Sequence, residues 1–454
     1  MKSRLLHISL FLVIASLPGC GVVERSSQPS GAAVPSSGAV SSRSSSAASP
    51  IGHAPYDPNA VQKTIEFYAR RVRENPRGAI EYSLLAAAYL QKCRETGDID
   101  NAARAEQAAR HSLAIRTRNN YAAVDNLALS LLTQHRFEEA ARLVKKPTAV
   151  TPDDLQAVYL RAECLIELGE YDNAKKILVS SGAKDDNAFA NTLRARLQIL
   201  EGKPQSACYL LQRAQTQADN NSDMPASNTA WFHMRRGDCL AGMGRAEEAE
   251  QAYHGALTLF PGDYRTLTAL CRQSAGQGHW QKAIEWGQKA AAIVPADDTL
   301  ALLYDAYIAI GNKTEAQNQL RILETIAHLS RLQGVIYDRQ RALFYADHNR
   351  NLPEALALAR KEMRLRHDIY AYDTLAWTCF KNNKTGEARA AADKAMRYGT
   401  QDALLFYHAG MIALAQGETV RGKSLLEQAL HINPYFHPTA PSQIKSLLKI
   451  NNTK

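Results

Sequence analysis

The side chains able to do chemistry are scattered along these 454 residues rather than gathered into a reactive set. No stretch has the spacing of a phosphate-cradling glycine loop, an HExxH zinc helix, a GxSxG nucleophile turn or a dinucleotide fingerprint. The 13 histidines are dispersed. His431 and His437 form the closest late pair, but Pro434 divides them, and no carboxylate or thiol stands at ligand spacing, which favours surface histidines over a metal site. Cys93, Cys164, Cys208, Cys239, Cys271 and Cys379 stand singly, with no CxxC. They are expected on apolar helix faces as small hydrophobes, and their spacing pairs none of them. No catalytic residue, metal or cofactor is expected, which leaves binding. The candidates are the aromatics Tyr337, Phe344, Tyr370, Trp377, Phe380 and Tyr407 with Asp373, and the cations Arg196, Arg265 and Arg272. Rigidly presented aromatics anchor extended or helical peptides, and arginine forks hold carboxylates and other anions.

A repeat is what would bring such distant residues onto one surface. Small residues recur at Ala105, Ala140, Ala174, Ala207, Ala249, Ala283, Ala316, Ala355, Ala388 and Gly422. Successive intervals are 35, 34, 33, 42, 34, 33, 39, 33 and 34, so seven of nine lie within one residue of 34. Around Ala249 stand Gly237, Leu240, Gly244, Tyr253, Ala256 and Pro261; around Gly422 the same offsets hold Gly410, Ala413, Gly417, Leu426, Ala429 and Pro434. Small residues admit close approach of two helices, large ones fill the gaps, glycine makes the left-handed turn and proline stops the second helix. Glu138-Glu139 and Glu247-Glu248 precede two of the small residues, where the helix dipole favours acid.

This period resembles that of tetratricopeptide repeats. The resemblance implies an all-α, right-handed solenoid of about ten helix pairs, at 76–436, with capping helices at 59–75 and within 437–454. The stripe Val61, Ile65, Tyr68, Val72 marks the first cap, and Ile444, Leu447, Leu448 the second. The longer intervals predict a polar loop over Asp219 to Asn228 and a lengthened helix around Ala327 to Asp338. Pro147 predicts a short or bent helix, and extra residues separate the first pair near Glu95 to Asp100. The first helix of each pair should line the concave wall, at 18, 15, 11 and 8 residues before each small residue, and those offsets select the candidates above. The alternative is that these large side chains pack against the next repeat, as most large apolar residues do.

The chain starts differently. Lys2 and Arg4 precede an apolar stretch, Leu5 to Leu17, too short to span a bilayer, which needs about 20 residues, but suited to a signal peptide. It ends in Leu17-Pro18-Gly19-Cys20, which resembles the lipobox of bacterial lipoproteins apart from Pro18. The alternative is an ordinary signal peptide with a chance cysteine. The lipobox reading makes 1–20 a signal segment and Cys20 the lipid-bearing residue. Gly21 after the cysteine, in place of an aspartate, points to the outer membrane with the body in the periplasm. Residues 21–58 are Ser, Ala, Pro and Gly with few large apolar groups, a composition that cannot offset its ordering entropy and is expected to act as a tether.

The net charge of +9 is spread without a basic run, so no nucleic-acid partner is expected. The runs IYAYDTLAW (369–377), DALLFYHAGMIA (402–413) and VIYDRQRALFYAD (335–347) look like a bacterial family of secreted tetratricopeptide proteins. That resemblance implies a cell-envelope scaffold with a protein or peptide partner. It also implies an alternative, an accessory role beside metal-transport membrane proteins. The lysine and asparagine clamp of chaperone-binding relatives is not visible. Repeats running almost to Lys454 leave no length for a catalytic domain, and an enzyme is not expected.

Overall fold

The computed structural model describes residues 55–150, 155–180, 186–332 and 339–449. Cys20, residues 21–54 and Tyr337 lie outside them. Every regular element among the described residues is a helix. A first helix α1 (Ala60–Glu74) is followed by ten antiparallel pairs. Pairs 1 to 3 are α2–α3 (Ala79–Thr96, Asp100–Ile115), α4–α5 (Tyr121–Thr133, Phe137–Val150) and α6–α7 (Leu155–Leu168, Tyr171–Ser180). Pairs 4 to 6 are α8–α9 (Ala188–Leu200, Pro204–Asp219), α10–α11 (Ala226–Gly242, Ala246–Leu259) and α12–α13 (Tyr264–Gly276, Trp280–Ile293). Pairs 7 and 8 are α14–α15 (Asp297–Ala309, Lys313–Leu332) and α16–α17 (Arg339–Asp347, Leu352–Glu362). Pairs 9 and 10 are α18–α19 (Ile369–Lys381, Thr385–Ala395) and α20–α21 (Ala403–Ala415, Thr419–Ile432), and α22 (Ala440–Leu448) ends the described chain. The architecture is an α-solenoid.

The recurring small residues do the work their spacing implies. The nine alanines that mark the period are 0–1% exposed, and Gly422 is buried. Small residues on the first helix face large ones on the second: a Cβ at Gly237 would stand 2.5 Å from the Tyr253 ring, and one at Gly410 2.8 Å from Leu426. At Gly410 the helix backbones also meet, with Gly422 C=O 3.2 Å from where a Cβ would stand, and a larger residue at either position would force the helices apart.

Two local expectations change. The predicted loop over 219–228 is shorter, because α9 runs to Asp219 and α10 starts at Ala226. Pro225 stands just before the first turn, where its missing N–H costs nothing. Ser227 and Asn228 are therefore helical, and both are buried. Pro147 does not shorten α5, which continues to Val150. The lengthened helix is present as α15, at 20 residues.

The superhelix turns tightly enough to lie on itself. Ile369 N–H donates to the Tyr171 hydroxyl at 3.1 Å, 198 residues away. The Thr400 hydroxyl donates to Leu200 C=O at 2.6 Å, a separation of 200, and the Asn433 amide to Ala241 C=O at 2.9 Å, a separation of 192. The pattern is regular. The tight turn inside pairs 1, 3, 4 and 5 abuts the loop that follows pairs 6, 8, 9 and 10, where Gly97, Gly169, Gly202 and Gly244 meet Val294, His367, Gly399 and Asn433 respectively. Gly202 shows why glycine is required: its φ is +71°, and a Cβ there would run into Gly399 C=O. At the start of the chain the same seam joins pair 1 to pair 5, with Arg94 bound to Asn228 at 2.8 Å and Glu95 to Ser227 at 2.9 Å. Tyr56 packs on Phe260 with ring centroids 4.6 Å apart.

Candidate functional site

The first helices of neighbouring pairs pack side by side, and the wall they form spends most of its polar and aromatic groups on itself. Trp377 is 2% exposed. Its indole N–H donates to Asp347 of the preceding pair at 2.7 Å, and its ring stacks on His408 of the next at 4.2 Å. His408 Nδ1 lies 2.9 Å from the Asp373 carboxylate, to which it donates. The Tyr407 hydroxyl donates to Gln443 of α22 at 2.9 Å. Phe344 is buried between Tyr304 and His348. Phe344, Asp373, Trp377 and Tyr407 are thus joints between repeats rather than a presented surface. Their offsets place them on the first helix, but the same offsets face the adjoining first helix.

The arginines divide. Arg265 is held by Asp263 at 2.8 Å and lies over the Tyr264 ring. Arg272 is exposed and reaches Asp298 at 2.8 Å. Arg196 enters a buried ion cluster between the turns. There it binds Glu163 and, at 2.6 Å, Glu167; Glu167 also meets Arg366 at 3.1 Å. Arg366 meets Asp368 at 2.5 Å, and Arg339 meets Asp368 at 3.1 Å as well as Glu362. Burial pushes the Asp368 carboxyl up, but Arg339 and Arg366 outweigh it and hold the group at about 2. Burial also raises Glu163, and there Arg196 does not outweigh it. Arg196, Arg235, Arg339, Arg366, Asp368 and Tyr370 share the lining of a cavity of about 210 Å³ here.

A larger cleft of about 450 Å³ opens beside it on the seam. One wall comes from pairs 5 and 6, with Arg235, Asp238 and Arg272; the other comes from pairs 9 and 10 and their loops, with Tyr370, Asp402, Leu404, Tyr435 and Phe436. The volume falls within the ~300–1,000 Å³ of ligand pockets. Asp238 is fixed by Arg235 at 2.9 Å and by the Tyr253 hydroxyl at 3.0 Å. Asp402 caps α20 by accepting from Leu404 N–H at 2.9 Å, and burial raises its carboxyl. Arg272 and Tyr435 stand open to solvent at the rim. Half-buried aromatics, an exposed guanidinium fork and fixed carboxylates suit the capture of a short peptide segment. Among the described residues no group of three or more His, Cys, Asp and Glu side chains is placed to hold a metal ion.

Residues 131–197 match the tetratricopeptide repeat family. The match spans the end of α4 through most of α8. No curated protein matches the chain. Among solved structures, the chain is similar to the crystal structure of PilW, a widely conserved type IV pilus biogenesis factor, with 19% identity and a TM-score of 0.39. That likeness covers 44% of this chain and 91% of PilW. The APC/C hetero-tetramer Cut9–Hcn1 is similar at 12% identity and a TM-score of 0.32, covering 86% of this chain and 93% of the other.

Of the sequence candidates, the tetratricopeptide-type array brings Tyr370 and Arg272 to the 450 Å³ cleft, and Tyr370 and Arg196 to the smaller cavity. Phe380 remains half-buried beside Trp377. Arg235, Asp402, Tyr435 and Phe436 were not among those candidates. Their common feature is a position about one superhelical turn apart, which no local pattern carries.

Proposed function

We propose that the chain is a lipid-anchored scaffold of the bacterial cell envelope that holds a protein or peptide partner. Cys20 carries the lipid, residues 21–58 form the tether, and the body stands in the periplasm from the outer membrane. The observation that carries the binding role is the inter-turn cleft of about 450 Å³. It sits in a repeat array, with apolar and charged groups from two distant parts of the chain and a rim open to solvent. The fold class supports this reading, because repeat arrays present extended surfaces for partners. The lipobox-like LPGC run at 17–20 supports the anchor.

The test joins capture to loss. A photocrosslinking residue at position 435, used in intact envelopes, is expected to trap one dominant protein. Arg272→Ala, with the crosslinking residue kept at position 435, should abolish that product while leaving helicity and melting unchanged, since the Arg272 side chain is exposed. A product that survives Arg272→Ala refutes the cleft as the binding site. Separately, Cys20→Ser should move the protein from the membrane to the soluble fraction and end metabolic labelling by a palmitate analogue.

A further inference from the structure

All six described cysteines are buried. For Cys93, Cys164, Cys271 and Cys379, burial pushes the thiol up, as expected of inert core residues. Cys208 and Cys239 differ from these four. They lie on the adjoining helices α9 and α10, within one hydrophobic cluster. The Cys239 thiol lies 3.6 Å from Pro204 C=O, the carbonyl one turn before Cys208 on α9, which places it beside the turn that bears Cys208. Arg236 and Arg245 stand near enough to favour a thiolate at Cys208. The neighbouring Cys239 thiol, helped by those two cations, outweighs burial and lowers Cys208, while Cys208 and burial drive Cys239 upward. The pair therefore favours the thiolate at Cys208 and the proton at Cys239. Cys239 also lines the inter-turn cleft, which opens its side of the pair to the outside.

We propose that Cys208 and Cys239 are a modification site: they close an intramolecular disulfide by exchange with a disulfide-bearing oxidant, stapling α9 to α10 behind the cleft wall. The Cys208 thiolate attacks one sulfur of the oxidant, forming a mixed disulfide and expelling one thiolate. Cys239 passes its proton to that leaving thiolate and attacks the Cys208 sulfur. The new bond between the cysteines forms as the mixed disulfide breaks, and a second thiolate leaves. Two electrons pass from the cysteine pair to the oxidant. The staple bears on the cleft directly, because α10 also carries Arg235 and Asp238.

The full chain is incubated with glutathione disulfide, alkylated in denaturant and digested without reduction. The expected result is a cross-linked peptide joining positions 208 and 239, two fewer alkylated thiols than in the dithiothreitol control, and full reversal by reductant. Cys239→Ser should instead trap glutathione on Cys208. The proposal is overturned if both thiols of the folded wild-type chain stay alkylatable. It is equally overturned if cross-links join other cysteines, or if glutathione accumulates on Cys208 of the wild type without passing to Cys239. The wild-type measurements stand even where a variant fails to fold.

Discussion

Glu167 is where the closure of the superhelix is most exposed to a single substitution. Its side chain is 1% exposed and spans the turns, binding Arg196 of the first at 2.6 Å and Arg366 of the second at 3.1 Å. Removing one member of a buried ion pair costs about 3–5 kcal/mol, because the partner is left desolvated without compensation. Here each cation keeps another carboxylate, Glu163 for Arg196 and Asp368 for Arg366, which places Glu167→Ala at the low end, about 3 kcal/mol. Glu167→Gln retains an acceptor for one guanidinium and should cost about half as much. Denaturant melts give the free energy, and hydrogen exchange gives the place. Amides at 366–372 should lose protection, although they lie about 200 residues from the substitution. A cost under about 1 kcal/mol, with unchanged exchange at 366–372, would show that the ion cluster does not hold the turns together.

Other consequences can be checked with the same measurements. Gly202 and Gly417 have φ of +71° and +82°, but only Gly202 lies against the other turn, while a Cβ at Gly417 meets nothing within 4 Å. Gly417→Ala should cost about 1–2 kcal/mol, the penalty of the left-handed region alone, and Gly202→Ala about 1–3 kcal/mol more from overpacking; equal costs would remove the seam as the cause. Asp368 at about 2, against 3.8 unperturbed, contributes about 2 kcal/mol at neutral pH that disappears as pH falls from about 4 to 2. Glu163, raised by burial, acts in the opposite sense: its contribution is present in acid and declines as pH rises. Asp368→Asn should therefore flatten the acid limb of the stability curve, and an unchanged limb would contradict the assignment. Trp377→Ala should cost about 3–5 kcal/mol and leave peptide capture at the cleft rim intact in whatever fraction stays folded.

The repeat was legible because each pair has to solve the same packing problem. Ala249 or Ala283 can be nothing large, so the small residues recur visibly, and the helices follow from them. The burial of Trp377 and Tyr407 was not legible in that way. An offset from the small residue states which helix face a side chain occupies, and the wall-facing and neighbour-facing directions differ by less than the width of an indole. The cleft was less legible still. Arg235 and Tyr435 line one cleft because a small rotation per pair accumulates over five pairs, and nothing within 34 residues encodes that sum. Even Gly202 is ambiguous in sequence, since the left-handed turn alone accounts for it. The approach of Gly399 is a second constraint on the same position.

That double constraint alters how this solenoid should behave. Arrays whose pairs touch only their neighbours lose stability in nearly independent increments, but here pairs 3, 4 and 5 also bear on the loops after pairs 8, 9 and 10. The 450 Å³ cleft exists only while that seam is closed, because its two walls belong to different turns. Partner binding and seam closure are then one equilibrium. A partner that occupies the cleft stabilises the closed form, and any loss of closed population weakens apparent affinity in proportion. Glu167 does not line the cleft. If Glu167→Ala lowers the closed fraction, it should weaken capture through position 435 by that same fraction. Saturating partner should in turn restore exchange protection at 366–372. Weakened capture without that restoration would mean that the two are not coupled.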